Sequence, residues 1–364
     1  MSRAKKEKEV FGEDKLVLTP EDKRFATPAV VALYRAERLR CNTIVDLCSG
    51  AGFQSFAFAQ TCKHVIAVEK NPVLFAKAQE HAQKLGISNI TFLCGDALSA
   101  DIIAQIQKTN PDIVFCDPER FATEEQRSVS TMQPDIPQLL AQYSALTSKI
   151  AIEFPPHIQA LELPSGFSAE QEYISLDGAV NRLTLYFGSL MECAKKVVLL
   201  PQKEILCSTE AEIEIEYPTI SPTASSASYS YLLESNSTVA LAGLIGAAFS
   251  SALSDTFETL VSAKEIVSVT SGKKTFYLST KLLSSPFFTA YRIHAHVVYA
   301  FDLIGKKKIL KELQHLSCGS VVLRYTLDPA KYWEERSFFE KKLSDGTKQF
   351  HLFVFDEALV CEKI

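Results

Sequence analysis

No Cys-x-x-Cys pair occurs among the nine cysteines of this 364-residue chain, and of its seven histidines only His294 and His296 lie close together. Metal sites draw on ligands at short, fixed spacings, so this pattern predicts no metal. Two histidines two apart on a strand share a face, which reads as structural. The cysteines sit mostly in apolar runs, as reduced, buried thiols do in a reducing compartment. The longest apolar stretch, Thr238 to Leu253, contains serines and glycines and is too short to span a bilayer. The polar start, Ser2-Arg3-Ala4-Lys5-Lys6-Glu7-Lys8, leads into no apolar core, so no signal peptide is expected and a cytoplasmic location is. The one tryptophan, Trp333, falls in an acidic, aromatic, helix-like stretch and reads as core or interface. Excess positive charge is missing too, and the net charge of −5 argues against a uniformly basic nucleic-acid binder. The charge is uneven along the chain. Residues 204–272 hold nine Asp and Glu against one Lys, a net of −8, and residues 273–364 hold fifteen Lys and Arg against ten Asp and Glu, a net of +5. A basic carboxyl-terminal half is either a footprint for phosphate or a solvated surface.

With 47% hydrophobic and 22% charged residues, the chain has apolar material for two cores. Its most informative stretch is Ile44-Val45-Asp46-Leu47-Cys48-Ser49-Gly50-Ala51-Gly52-Phe53, an apolar strand that meets an acid and then a glycine-containing turn. A second strand, Val65 to Glu69, ends in another acid. The glycines let backbone approach a ligand closely, and a carboxylate at the second position accepts both hydroxyls of a ribose. That much fits either NAD or S-adenosylmethionine. Two further strands end in Gly95-Asp96-Ala97 and in Cys116-Asp117-Pro118-Glu119-Arg120. The acids Asp46, Glu69, Asp96 and Asp117 are thus expected along the carboxyl edge of one parallel sheet, where open α/β sheets bind ligands.

This ordering resembles that of class I S-adenosylmethionine-dependent methyltransferases. The resemblance implies that Asp46 and the turn (Cys48, Gly50, Gly52, Phe53) face the methionine part of the cofactor. It implies that Glu69 takes the ribose, that Asp96 and Ala97 flank the adenine, and that Asp117 and Pro118 face the substrate; Asn71-Pro72 after Glu69 could shape the turn over the adenosine and is equally a helix start. One position departs from the pattern: the first glycine of the turn is Cys48.

Charged residues 1–40 form an N-terminal extension whose helical pattern opens at Thr27-Pro28, with the threonine as cap. Residues 41–203 alternate strands and helices, which predicts βαβ units. Helices are expected over Gln54–Gln60, Pro72–Leu85 and Pro137–Thr147, and strands over Lys149–Phe154, Glu170–Leu176 and Lys195–Leu200. The resemblance makes this a Rossmann-like α/β fold with a seven-stranded sheet and a short helical cap. Residues 204–228 read as a linker, with a strand-like pattern over Glu210–Tyr217 and a small, polar run over Pro222–Ser228. Residues 229–364 read as a smaller α+β domain with a helix over Val239–Phe257 and a lysine-studded amphipathic helix over Lys306–Leu316.

A second resemblance runs in order along the chain. Thr27-Pro28 with Arg35 and Arg38, Ser175-Leu176-Asp177-Gly178, Tyr231-Leu232-Leu233-Glu234-Ser235-Asn236 and Ser285-Pro286-Phe287-Phe288 resemble methyltransferases that carry a THUMP-like domain at the carboxyl terminus. True THUMP domains bind RNA in RNA-modifying enzymes, so the resemblance implies RNA as partner and substrate.

For an exocyclic base amine the lone pair is delocalised into the ring, and an acceptor near the amine hydrogens frees it. Asp117 with the carbonyl of Pro118 suits that task. Amine-methylating relatives have Asp/Asn-Pro-Pro and then an aromatic, whereas here Glu119 and Arg120 occupy those places and Phe121 comes one later. Arg120 could pair with a phosphate or carboxylate and Glu119 could accept a proton; equally, the two could pair with each other. Cys116, by alternation on the opposite face from Asp117, reads as a core cysteine. Gln54, Arg24, Phe25, Thr27 and the Glu153-to-His157 segment are secondary candidates for the pocket, each with an ordinary packing or loop explanation. Three alternatives stay open: a small-molecule or protein methyltransferase, a binding protein that keeps the cofactor fold without catalysis, and a nicotinamide oxidoreductase.

Overall fold

A computed structural model of the protein describes residues 9–118, 131–158, 163–208, 228–253, 261, 265–272, 274–298, 303–343, 346–355 and 357–364. The chain divides into two compact units, Met1–Ala211 and Glu212–Ile364.

The first unit opens with α1 (Pro20–Phe25) and α2 (Ala29–Arg38). Strands and helices then alternate as β1 (Thr43–Leu47), α3 (Phe53–Thr61), β2 (His64–Glu69), α4 (Pro72–Leu85), β3 (Ile90–Cys94), α5 (Ala100–Gln107), β4 (Ile113–Cys116), α6 (Ile136–Tyr143) and β5 (Ile150–Phe154). Four more strands follow: β6 (Ala169–Leu176), β7 (Ala179–Phe187), β8 (Lys195–Leu200) and β9 (Glu204–Ser208). Together they form one sheet in the order β3-β2-β1-β4-β5-β7-β6-β8-β9. The five strands from β3 to β5 run parallel, and β7 is antiparallel to both of its neighbours.

Alternation along each central strand sends side chains to two separate cores. Val45, Leu47, Val114, Cys116 and Ile152 pack with α5 and α6 on one face. Ile44, Ile113, Phe115 and Ala151 pack on the other with α2 (Ala32, Ala36) and α3 (Ala57, Phe58). Continuing that alternation puts Asp46, Asp117 and Glu153 on the α2–α3 side of the sheet.

Several sequence expectations are corrected here. The expected seven-stranded sheet has nine strands among the described residues, because the Asp177-Gly178 turn returns the chain as β7 and because β9 is present. Residues 204–208, expected to begin a linker, are that last strand, paired antiparallel with β8. Thr27 does not cap α2. The Ala29 amide is instead satisfied at 2.9 Å by the carbonyl of Glu9, and Val10 bridges to Pro28. Cys193 and Cys207, expected as reduced thiols, are joined in a disulfide across the β8–β9 pair, whereas Cys116 is a buried core cysteine. The expected Glu210–Tyr217 strand, the 222–227 run, Glu119, Arg120 and Phe121 lie outside the described residues.

The second unit holds β10 (Tyr231–Ser235), α7 (Ser237–Ala242), α8 (Ile245–Ala252), β11 (Ile266–Ser271), β12 (Lys274–Ser279), β13 (Phe288–Val298), α9 (Leu303–His315), β14 (Cys318–Leu323), α10 (Tyr332–Glu340), β15 (Lys348–Val354) and β16 (Glu357–Lys363). The sheet order is β11-β12-β10-β13-β16-β15-β14. The single helix expected over Val239–Phe257 is broken where Gly243, at φ 71°, caps α7 in the left-handed conformation. The sheet curls until its ends approach, with the Ser271 hydroxyl at the end of β11 donating to the Val354 carbonyl of β15 at 3.2 Å. Trp333, expected in a core or interface, is 58% exposed on α10. His294 and His296 each meet a carboxylate of β16, Glu362 and Glu357. No group of metal-ligating residues occurs among the described residues, and none of the described helices is long and apolar enough to cross a membrane.

Candidate active site

The turn after β1 is built on three left-handed residues, Cys48 (φ 60°), Gly50 (φ 55°) and Gly52 (φ 90°). Gly52 stands at the start of α3, and a Cβ there would lie 2.5 Å from the ring of Phe56, so the packing of α3 requires its absence. At Gly50 a Cβ would meet nothing within 4 Å, so backbone there faces open space that a ligand can enter. Cys48 adopts the same backbone region without glycine's freedom.

Glu69, at the end of β2, closes the turn. One of its carboxylate oxygens accepts the Gly50 N–H at 2.7 Å and the other accepts the Asn71 N–H at 2.7 Å. The carboxylate is thereby aimed by two backbone donors, and each oxygen keeps a lone pair for a ribose hydroxyl. Asn71 caps α4, accepting from Val73 and Leu74. Asp96 accepts the Leu98 N–H at 2.9 Å, and that bond, assisted by the Lys70 ammonium at 3.2 Å, holds its carboxyl below the usual range. The Ala97 carbonyl is fixed by the Tyr143 hydroxyl at 2.7 Å.

Asp46 lies beneath this rim, 1% exposed, and takes a hydrogen bond from the Ser55 hydroxyl of α3. Burial pushes its carboxyl up to about 7, reinforced by the nearby charges of Asp117 and Glu69 and opposed by Ser55 and Arg35. Asp117 follows β4, with its N–H on the Leu47 carbonyl at 3.3 Å. Phe53 is buried, packed edge-on against Phe56 and beside His81. Gln54 is buried too and spends its amide on Arg35 and the Ala32 carbonyl. Arg24 and Phe25 end α1, with the guanidinium 5.2 Å from the ring and Phe25 68% exposed. Thr27 is buried and His157 exposed.

The largest element missed from sequence is an ionic floor under the acids. Arg35 of α2, fully buried, meets Glu153 of β5 at 2.5 Å, and Arg182 of β7 meets the other oxygen of Glu153 at 2.7 Å. Burial penalises the Arg35 charge, but Glu153, Tyr186 and Asp117 keep its guanidinium firmly protonated. Beside it Arg38 pairs with Glu170 and Glu172 and lies 3.5 Å from the Tyr186 ring centroid. Arg35 and Arg38 of the N-terminal helix and Glu153 at the end of the fifth strand were each picked out in the sequence, but nothing there joined them; Arg182 and Tyr143 gave no signal.

The fold is a methyltransferase-like α/β fold with a large mixed sheet. It is shared across the chain with a crystallised protein of Porphyromonas gingivalis W83 assigned as a methyltransferase: TM-score 0.69, 18% identity, 96% of this chain and 84% of that one. The family described as RNA cap guanine-N2 methyltransferase matches residues 41–190. A protein of Lactiplantibacillus plantarum named an uncharacterized RNA methyltransferase is 37% identical over 94 residues, 25% of this chain and 21% of that protein. The 23S rRNA (uracil(1939)-C(5))-methyltransferase of a Shewanella species (strain ANA-3) is 37% identical over 92 residues, 25% and 20% of the two chains. The chain thus spans about a fifth of the length of these relatives.

Proposed function

We propose that this chain is an S-adenosylmethionine-dependent methyltransferase that methylates a base in RNA. The observation that carries the reading is the Glu69 carboxylate, aimed by two backbone N–H groups beside a Gly50 that opens onto empty space. The match over residues 41–190 and the names of the relatives are consistent with RNA as the substrate. The carboxyl-terminal unit is proposed as THUMP-like, and the protein as cytoplasmic.

Bound S-adenosylmethionine would supply an electrophilic methyl carried on a sulfonium. In the proposal Glu69 accepts the ribose hydroxyls, and Cys48, Gly50, Gly52 and Phe53 form the turn that admits the methionine end. Asn71 shapes the turn over the adenosine, Asp96 and Ala97 flank the adenine, and Asp46 faces the methionine end from beneath the turn. Asp117 and the Pro118 carbonyl accept hydrogen bonds from the attacking amine, holding its lone pair in line with the methyl. Glu119 and Arg120 are proposed to contact the substrate next to them. Alignment of nucleophile and methyl is the main catalytic demand, and the rigid strand ends meet it.

Transfer of labelled methyl into total RNA from a strain lacking this gene tests the reading, with Asp117→Ala as control. Label that disappears with the variant supports it. A preparation that binds the cofactor but labels no RNA overturns the RNA assignment. The net charge of −5 favours a small-molecule or protein acceptor as the second reading.

A further inference from the structure

The basic carboxyl-terminal half has a structural counterpart. Where the curled sheet of the second unit brings its ends together, a cleft of about 320 Å³ opens. Sites of this size recur at the mouths of closed or nearly closed β-sheets. Phe276 of β12 and Phe353 of β15 form an apolar floor, both buried. Arg324, just past β14, reaches across from the far edge. Its Nη2 bonds Glu234 of β10 at 3.1 Å and also the Tyr291 hydroxyl of β13. Its backbone N–H is fixed at 2.8 Å by the Leu352 carbonyl. The guanidinium is therefore immobilised, yet a third of the side chain stays exposed. Lys274 stands at the rim, 71% exposed and only 3.5 Å from Glu234.

Two cations share one carboxylate, so the cleft keeps a net positive charge. A preorganised, partly exposed arginine beside an exposed lysine is an arrangement that receives phosphate oxygens. The aromatic floor suits a flat apolar ring, and Glu234 can accept from a ring amine. We infer that this cleft binds one nucleotide unit, phosphate toward Arg324 and Lys274 and base toward the floor, either as a residue of single-stranded RNA or as a free nucleotide. The inference stands apart from the proposed methyl transfer, since all of its residues lie in the second unit.

The test uses the full chain without methyl donor, so its outcome is independent of any transfer activity. Binding of a fluorescein-labelled single-stranded 12-nucleotide RNA is followed by anisotropy, with adenosine monophosphate as competitor and, separately, as titrant. Lys274→Ala, at an exposed position that cannot disturb the fold, is expected to weaken binding about tenfold and to lower the salt slope by about one. Lys274→Glu is expected to weaken it further, and Arg324→Gln at least as much as Lys274→Ala. Competition by the mononucleotide supports the site with one residue as its occupant. RNA binding that the variants weaken but the mononucleotide does not displace supports it with RNA as the source. Mononucleotide binding alone, weakened by the variants, supports the free nucleotide. Absence of binding by both probes, or binding unchanged by both Lys274 substitutions, overturns it.

Discussion

Arg35 and Glu153 are 118 residues apart in the chain and meet at 2.5 Å with neither exposed to solvent. The pair ties the N-terminal helix to the end of β5, directly under the edge that carries Asp117. Removing Arg35 takes from the buried Glu153 carboxylate one of its two cations, leaving Arg182, and takes the donor from Gln54 Oε1. Arg35→Met should therefore destabilise the first unit by about 3 kcal/mol, read as a lower urea midpoint. The double variant with Glu153→Leu should recover only part of that loss, because Arg182 then loses its carboxylate. An additive double variant would refute the coupling.

The two glycines of the turn should separate binding from folding. Gly50→Ala places a methyl where nothing stands within 4 Å, so the unfolding free energy should fall only by the left-handed backbone cost of about 1–2 kcal/mol. Affinity for S-adenosylhomocysteine should fall about tenfold or more, because the methyl occupies the space proposed for the ligand. Gly52→Ala meets the Phe56 ring and should behave the opposite way, losing stability first. Calorimetric titration alongside thermal melting distinguishes the two.

Asp46 should give the first unit an unusual pH dependence. Its carboxyl is pushed up to about 7, against an unfolded value of about 3.9. Between those values the folded state binds more protons than the unfolded one. The contribution of this group to stability should be fully present below about pH 4 and be lost as pH rises toward 7, by up to about 1.4 kcal/mol per unit. Above that window its contribution is flat. Asp46→Asn should remove this slope; an unchanged profile would show that Asp46 is ionised throughout.

Cys48 holds a left-handed backbone that glycine holds at less cost. Cys48→Gly should stabilise the first unit by about 1 kcal/mol, whereas Cys48→Ala should not, because the strain belongs to any Cβ. Denaturant midpoints of the two variants settle it.

Much of this was readable in the chain. Strands ending in Asp46, Glu69, Asp96 and Asp117 announced the parallel sheet, because a central strand writes itself as a short apolar run and its edge as the residue where the run stops. Asn71-Pro72 gave the start of α4 for the same local reason. What escaped was non-local. Val180 to Phe187 alternates weakly, and only its pairing with β5 and β6 makes it a strand. Gly243 looked tolerable inside a helix until its positive φ ended one. The Arg35–Glu153–Arg182 floor joins three distant segments, and no window of sequence contains it.

Strand β16 lies between β13 and β15, so the seven residues Glu357–Lys363 hold together two groups of strands that do not otherwise pair. A chain cut short before residue 357, by a nonsense codon, a trimmed clone or a protease, would keep most of its sequence. It would nonetheless present two raw strand edges to its neighbours in solution, the arrangement that seeds aggregation. Loss of that single strand should thus send it to inclusion bodies rather than leave it slightly weakened.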